Sequence, residues 1–208
     1  MPSSAGRDSS LRERKRLRTR AALIEAGRRL FDERGYHHTT VADIAAAAEV
    51  ATRTFFSYFE SKEQLLFPES DARVEAALAA IRTRRPDERP ADVLLRALRD
   101  AAGDDMLSPL AQLRLRLIAD VPAVQGRALR LQLQAQADIS TALVAAYPDL
   151  DPVEAAALVG AFIGGAAAAV AALAPESGNA ARNDVMPRRL YDAVASALGV
   201  AAAPPPEG

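Results

Sequence analysis

The sequence predicts an all-α protein, and three observations carry that expectation. Alanine, the strongest helix former, fills 47 of 208 positions, while β-branched and aromatic residues are scarce. Apolar residues recur at three- and four-residue spacing along most of the chain. Pro109, Pro122, Pro152 and Pro175 fall where such stretches start or stop. Charged residues at 25% and hydrophobic residues at 50% are ordinary for a soluble globular chain. Cysteine is absent, which excludes disulfides, thiol catalysis, zinc–cysteine sites and iron–sulfur clusters. Met1 to Ser10 is polar with no apolar core, so no secretory signal is visible and a reducing cytoplasm is expected.

The expected elements follow in order. Residues 1–10 read as a disordered arm. Leu17, Ala21, Ile24, Arg28 and Phe31 mark a helix from about Leu11 to Glu33, which Gly35 stops. Thr39 or Thr40 caps a second helix with Val41, Ile44, Ala45 and Ala48 on its apolar face. Glu49-Val50-Ala51 interrupts the pattern, and Thr52 caps a third, short helix carrying Phe55 and Phe59. Ser61 and Gln64 have capping-box spacing, so a fourth helix is expected from there to about Thr83. Further helices are expected over 91–102, from Ser108-Pro109 to Asp120, over 123–146, from Asp151-Pro152 to Ala174, and over 184–198. Residues 201–208 read as a frayed tail. The domains are therefore expected at 11–67 and 68–200.

A net charge of −1 hides an uneven distribution. Residues 1–20 hold seven basic and two acidic groups, net +5, whereas everything beyond residue 66 sums to −4. A basic front on an acidic body suits a polyanion, although a solvated arm would look the same.

Two short helices with a tight turn between them occupy Thr40 to Phe59, and neither is long enough to stand alone. With the first helix they can share a core of Ile24, Phe31, Val41, Ile44, Ala45, Val50, Phe55 and Phe59. That is the composition of a helix-turn-helix, whose second helix enters the DNA major groove. The run Ile24-Glu25-Ala26-Gly27-Arg28-Arg29-Leu30-Phe31, then Gly35-Tyr36, Thr39-Thr40-Val41, Ile44-Ala45, Val50, Thr54-Phe55-Phe56, Tyr58-Phe59 and Ser61-Lys62-Glu63 resembles the DNA-binding domain of the TetR (tetracycline repressor) family. The resemblance covers about residues 17–67. Glu49 stands where the family usually has glycine, and Phe56 where a tyrosine often contacts a phosphate. Glu49 to Phe59 further resembles a subgroup whose C-terminal domains bind acyl-CoA-like ligands.

The candidate DNA-binding residues are Thr40, Ala51, Thr52, Arg53, Thr54, Ser57, Tyr58 and Lys62. Thr52, Arg53 and Ser57 fall on the outer side of the third helix if Phe55 and Phe59 face inward. Arg53 can fork to a guanine edge, or pair with Glu49 instead. Thr40 can offer hydroxyl and amide to a phosphate, or simply cap. Tyr58 can donate to a phosphate, or pack half-buried. Lys62, in a helix's first turn, opposes the dipole unless a phosphate binds there, or it is plainly solvated. His37 and His38, the only histidines, have no carboxylate at ligand spacing, so no metal is expected.

Ala155 to Ala174 is a chargeless stretch long enough to span a membrane, but it is mostly alanine and glycine and acids flank it. Gly160, Gly164 and Gly165 would let another helix approach closely. The resemblance implies that this helix and the last one pair with their copies in a homodimer, through Leu158, Phe162, Ala169, Leu173, Leu190, Val194 and Leu198. It also implies a pocket for a small apolar or acyl-CoA-like effector, with Phe67, Leu98, Met106, Leu113, Arg116, Leu117, Leu133 and Phe162 as candidate lining, beside Leu78 and Leu94. The implied activity is that of a transcriptional regulator, a repressor, released from palindromic double-stranded DNA when the effector binds. The competing classes are an activator or ligand-independent regulator of the same fold, and a membrane-associated helical protein. No catalytic triad, glycine-rich phosphate loop or metal cluster is visible, so no catalytic residue and no cofactor are expected.

Overall fold

A computed structural model describes residues 4–68, 70–101, 108–173 and 185–200, and among these no strand occurs. The chain divides after Pro68 into two compact units. The first contains α1 (Ser4–Arg34), α2 (Val41–Ala47), α3 (Thr52–Phe56) and a 3-10 turn, Lys62–Leu66. The second contains α4 (Ser70–Arg82), α5 (Pro90–Ala101), α6 (Pro109–Asp120), α7 (Pro122–Ala146), α8 (Pro152–Leu173) and α9 (Val185–Ala197).

In the first unit α1 starts seven residues before Leu11, so residues 4–10 of the expected disordered arm are helical. Gly6, Asp8, Ser9 and Ser10 are weak helix formers, but residues 4–10 contain no proline, so the helix established downstream propagates through them towards the N-terminus. The buried stripe of α1 is Leu23, Ala26, Leu30 and Phe31, one residue out of register with the expected Ile24 stripe. Leu17, expected to face inward, is 57% exposed. Gly27 on this stripe is required by a close approach: a Cβ there would lie 2.6 Å from Leu65 Cδ1. Leu65 and Leu66 of the 3-10 turn, with Tyr36, Ile44, Ala45, Phe55 and Phe59, complete the core.

The fourth helix is not continuous from Lys62. It breaks at Phe67-Pro68, because a proline bars the α conformation at the residue before it and supplies no N–H. Gln64 does cap, but its side chain accepts from the Glu60 backbone N–H at 2.8 Å, and Ser61 makes no side-chain cap.

The second unit is built around Ala77, Ile81, Val93, Leu94, Leu98, Ile139, Leu143, Val159, Phe162, Leu190 and Val194, drawn from α4, α5, α7, α8 and α9. Three helix starts follow their prolines. Ser108 Oγ caps Ala111 N at 3.2 Å ahead of Pro109. Asp151 accepts from Val153 N at 2.8 Å across Pro152. Val121 ends α6 and Pro122 begins α7. A polar knot ties the α4–α5 loop to the end of α7. Arg96 makes a two-pronged ion pair with Glu88 (2.8 and 3.0 Å), Tyr147 donates to Glu88 O (2.8 Å), and Arg84 donates to Ala146 O (2.6 Å).

Two expectations for this unit change. The expected dimer seam faces inward: Phe162, Leu173, Leu190 and Val194 are buried in the chain's own core, and Leu158, Ala169 and Leu198 pack against it. The outward face of α8 carries Val153, Ala157, Ala161 and Ala168 instead. Gly160 and Gly165 make only ordinary contacts, and a Cβ on Gly164 would meet open space, so these glycines are not needed for packing inside the chain. The expected ligand lining does not converge. Leu98 and Phe162 share the core, Leu113 is buried on α6, and Leu117 is half-buried, whereas Leu133 is 55% exposed and Arg116 is exposed. Phe67 belongs to the first unit, and Met106 lies outside the described residues, as does the expected tail. A described cleft of about 320 Å³ is polar, lined by Arg85, Asp87, Glu88, Asp92, Arg96, Arg99 and Tyr191.

Candidate nucleic-acid interface

Thr39 and Thr40 have divided duties that the sequence left open. Thr40 is the N-cap of α2: its Oγ1 accepts from Asp43 N at 3.1 Å, and Asp43 Oδ2 accepts from Thr40 N at 2.9 Å. This closed capping box holds Asp43 below the usual carboxylate range, through its hydrogen bonds from Thr40. Thr39 is buried, and its hydroxyl donates to Gly35 O (2.9 Å) and Leu30 O (3.2 Å).

The turn after α2 is a Schellman motif: Val50 N donates to Ala45 O (2.9 Å) and Glu49 N to Ala46 O (3.0 Å). That motif needs a left-handed residue, and Glu49 supplies it with φ of 55°. The geometry usual for glycine is kept without a glycine. The turn aims α3, whose N-cap is Ala51 rather than Thr52, and α3 has no side-chain cap. Phe55 and Phe59, 0% and 2% exposed, anchor it. Ala51, Thr52, Arg53 and Ser57 are therefore exposed together, with Thr54 and Tyr58 half-buried at the edges. Arg53 makes no ion pair with Glu49, and Ser57 Oγ turns back to Arg53 O at 3.3 Å. Phe56, absent from the expected contacts, stands on the same outer surface at 56% exposure, its ring edge-on to Phe55. Its sequence signal was an aromatic one residue out of step with the anchoring pair.

Lys62 does something other than expected. Its ammonium donates to Tyr36 O (2.7 Å) and Thr39 O (2.8 Å) and lies 4.1 Å from the Tyr36 ring centroid. It therefore ties down the α1–α2 link and the residue before the α2 cap. It begins a 3-10 turn, not an α-helix, so the dipole conflict inferred from sequence is small. Burial holds its pKa below the ordinary lysine value, with Glu63 opposing. Tyr36 donates to Glu63, and burial, then that bond, pushes the phenol well above its ordinary pKa. For Glu63, burial raises the pKa, but hydrogen bonds from Ser61 and Tyr36 outweigh it, leaving the carboxyl below its ordinary value. His37 and His38 are exposed, and the described residues hold no cluster of three groups able to bind a metal.

A three-helix unit with a Schellman turn and an outward polar edge on its last helix has the form of a helix-turn-helix nucleic-acid reader. Residues 23–67 match the family model for bacterial regulatory proteins of the tetR family, so this stretch is similar to that family's N-terminal domain. It is 38% identical over 127 residues to the HTH-type transcriptional regulator TcmR of Streptomyces glaucescens, 58% of this chain and 56% of that protein. It is 50% identical over 48 residues to the HTH-type transcriptional repressor DhaR of Mycobacterium sp. (strain GP1), 23% of this chain and 24% of that one. The chain thus spans about half the length of the first relative and a quarter of the second. In fold it is similar to Thermus thermophilus FadR, a TetR-family transcriptional repressor solved with lauroyl-CoA (TM-score 0.56, 22% identity, 91% of this chain and all of that one). A TetR-family regulator of Mesorhizobium loti shares the fold at TM-score 0.54 and 15% identity, over 88% of this chain and 96% of that one.

Proposed function

We propose that this chain is a cytoplasmic DNA-binding transcriptional regulator, a repressor, that reads palindromic operator DNA as a homodimer and is not an enzyme. One observation carries the reading: Ala51, Thr52, Arg53 and Ser57 stand exposed on a short helix that two buried phenylalanines and a Schellman turn hold in place. In this reading Arg53 meets a base edge, worth ~1–3 kcal/mol of discrimination. Thr40, Ala51, Thr52, Thr54, Ser57 and Tyr58 supply backbone and groove contacts around it.

Dimerisation is supported by α8. It is long and apolar enough to cross a membrane, with mean hydropathy 2.1, yet only 17% of that stretch is buried. One face nevertheless enters the unit's core through Val159 and Phe162, and a second copy is the occupant that suits the small-residue face opposite. The membrane reading has no such second observation. An apolar or acyl-CoA-like effector, relieving repression by favouring a conformer with mis-spaced reading heads, rests on the sequence resemblance.

Selection of bound duplexes from a random pool tests the reading. The expected product is an enriched inverted repeat with half-sites ~34–36 Å apart. With Arg53→Ala the enrichment should weaken at one base position in each half. A pool that stays random with the intact chain sinks the proposal.

A further inference from the structure

The N-terminal turns of α1 lie before the helix-turn-helix core. From Arg12 onward, the first buried side chain on α1 is Leu23. All seven residues Arg12–Arg18 are exposed, and they hold five cations, Arg12, Arg14, Lys15, Arg16 and Arg18, against one acid, Glu13. Further along the same helix the arginines are matched: Arg28 pairs with Glu25 at 2.6 Å and Arg29 with Glu33 at 3.5 Å. The composition therefore changes within one continuous helix. Downstream, charge serves the helix. Upstream, it opposes it, since Arg12 and Arg16 are like charges four residues apart, a pair costing ~0.2–0.5 kcal/mol. The segment also has no core contacts to offset that cost.

Helical geometry spreads these cations. Arg12 and Arg16 lead on one face towards Arg20, which is engaged with Pro68 O at 2.9 Å and lies 5.5 Å from the Phe59 ring centroid. Arg14 and Arg18 lie on the face roughly opposite, with Lys15 between. The result is a cationic rod, not an amphipathic helix: within Arg12–Arg18, Leu17 is the one apolar residue, too little for a membrane-surface face. From Ser4 to Arg18 the helix extends ~22 Å, which matches six or seven base-pair steps of duplex.

We infer that Arg12, Lys15, Arg16 and Arg18 form a second DNA-binding element, which takes the duplex phosphate backbone outside the bases read by α3. This rests on the DNA-binding reading above and adds to it a contact of different chemistry. The element carries affinity and salt dependence but no base preference, because phosphate contacts position without specifying. Binding also removes the like-charge cost that the free helix bears.

The test uses the full chain and a duplex of arbitrary sequence, with binding measured across salt concentrations. In the variant Arg12→Gln/Lys15→Gln/Arg16→Gln/Arg18→Gln, the slope of log K against log salt should flatten by about 3.6 per protomer. Between 50 and 200 mM salt that is about a hundredfold less loss of affinity than the parent shows. Glutamine is a good helix former, and the core begins at Leu23, so the fold should persist. A matching variant with arginines changed to lysine should keep the parent slope. If the parent binds and the glutamine variant shows the same slope, this inference fails while the main reading stands. If the glutamine variant loses only binding to anionic vesicles and not to DNA, the inference is likewise overturned. If the parent binds no duplex at low salt, the main reading fails first.

Discussion

Lys62→Met separates two physical roles for one ammonium. In the structure that group makes two charge-assisted hydrogen bonds, at 2.7 and 2.8 Å, and rests on the Tyr36 ring. Methionine keeps the stem and its packing and removes the donors. Each such bond is worth ~1.5–3 kcal/mol when a charged group is involved. The desolvation that lowers the lysine pKa works against them, and the site is only half-buried, so a net loss of about 2 kcal/mol is expected. In a unit of this size 1 kcal/mol moves Tm by ~4–8 °C, so the first unit should melt ~8–16 °C lower by circular dichroism. Duplex affinity should fall with it, because the Thr40 cap loosens, but the salt slope should not change. A phosphate-contacting lysine predicts the opposite pair: unchanged Tm and a slope reduced by about one. That second result would refute the structural role.

Four further outcomes follow from particular contacts. Glu49→Gly should raise stability by up to about 1 kcal/mol, since the left-handed conformation costs a side-chain-bearing residue ~1–2 kcal/mol and glycine's extra unfolded-state freedom returns part of that; denaturant midpoints measure it. Gly27→Ala should destabilise by ~1–2 kcal/mol in the same assay, because the new methyl meets Leu65 Cδ1 at 2.6 Å and Leu65 is fully buried. Glu63 and Glu88 both sit below their ordinary pKa, Glu63 through Ser61 and Tyr36 overcoming burial, Glu88 through Arg96. Their contribution is therefore complete above the unfolded value of ~4.3 and is lost as pH falls through the folded values, so Tm should be level near neutrality and drop below about pH 4, less steeply in Glu88→Gln. Ala161→Glu, on the exposed side of α8, should give folded monomers in sedimentation, whereas Phe162→Glu should abolish folding.

The helix-turn-helix was legible because its signals are local. The cap at Thr39 or Thr40, the Phe55/Phe59 pair and the stop at Gly35 each act within a few residues, and the structure settles the cap on Thr40. What the sequence misplaced needed a partner from elsewhere in the chain. The α1 stripe slipped by one position because Leu23, Ile24, Leu30 and Phe31 fit two registers, and only the approach of Leu65 to Gly27 decides between them. The bonds from Lys62 were not legible because Tyr36 and Thr39, whose carbonyls it holds, lie more than twenty residues away. Pro68 was a visible breaker, overridden by apolar periodicity on both sides of it.

The second unit shows the same limit in stronger form. A helix reveals its buried face through contrast, and α8 has little: alanine and glycine surround it, so the few large residues invite assignment to whichever surface is sought. Leu158, Phe162 and Leu173 were natural choices for a seam between copies, yet α5, α7 and α9 of the same chain claim that side first. Intrachain packing takes the large side chains because they bury the most area per residue. It leaves outside the small ones, Ala157, Ala161 and Ala168, which gain little from burial singly but allow close backbone approach over a long contact. A surface made this way is poor at holding its own chain and well suited to a copy of itself. If the chain dimerises as proposed, the exposed face of α8, and not its large residues, is therefore the place where substitutions should break the dimer without unfolding the protomer.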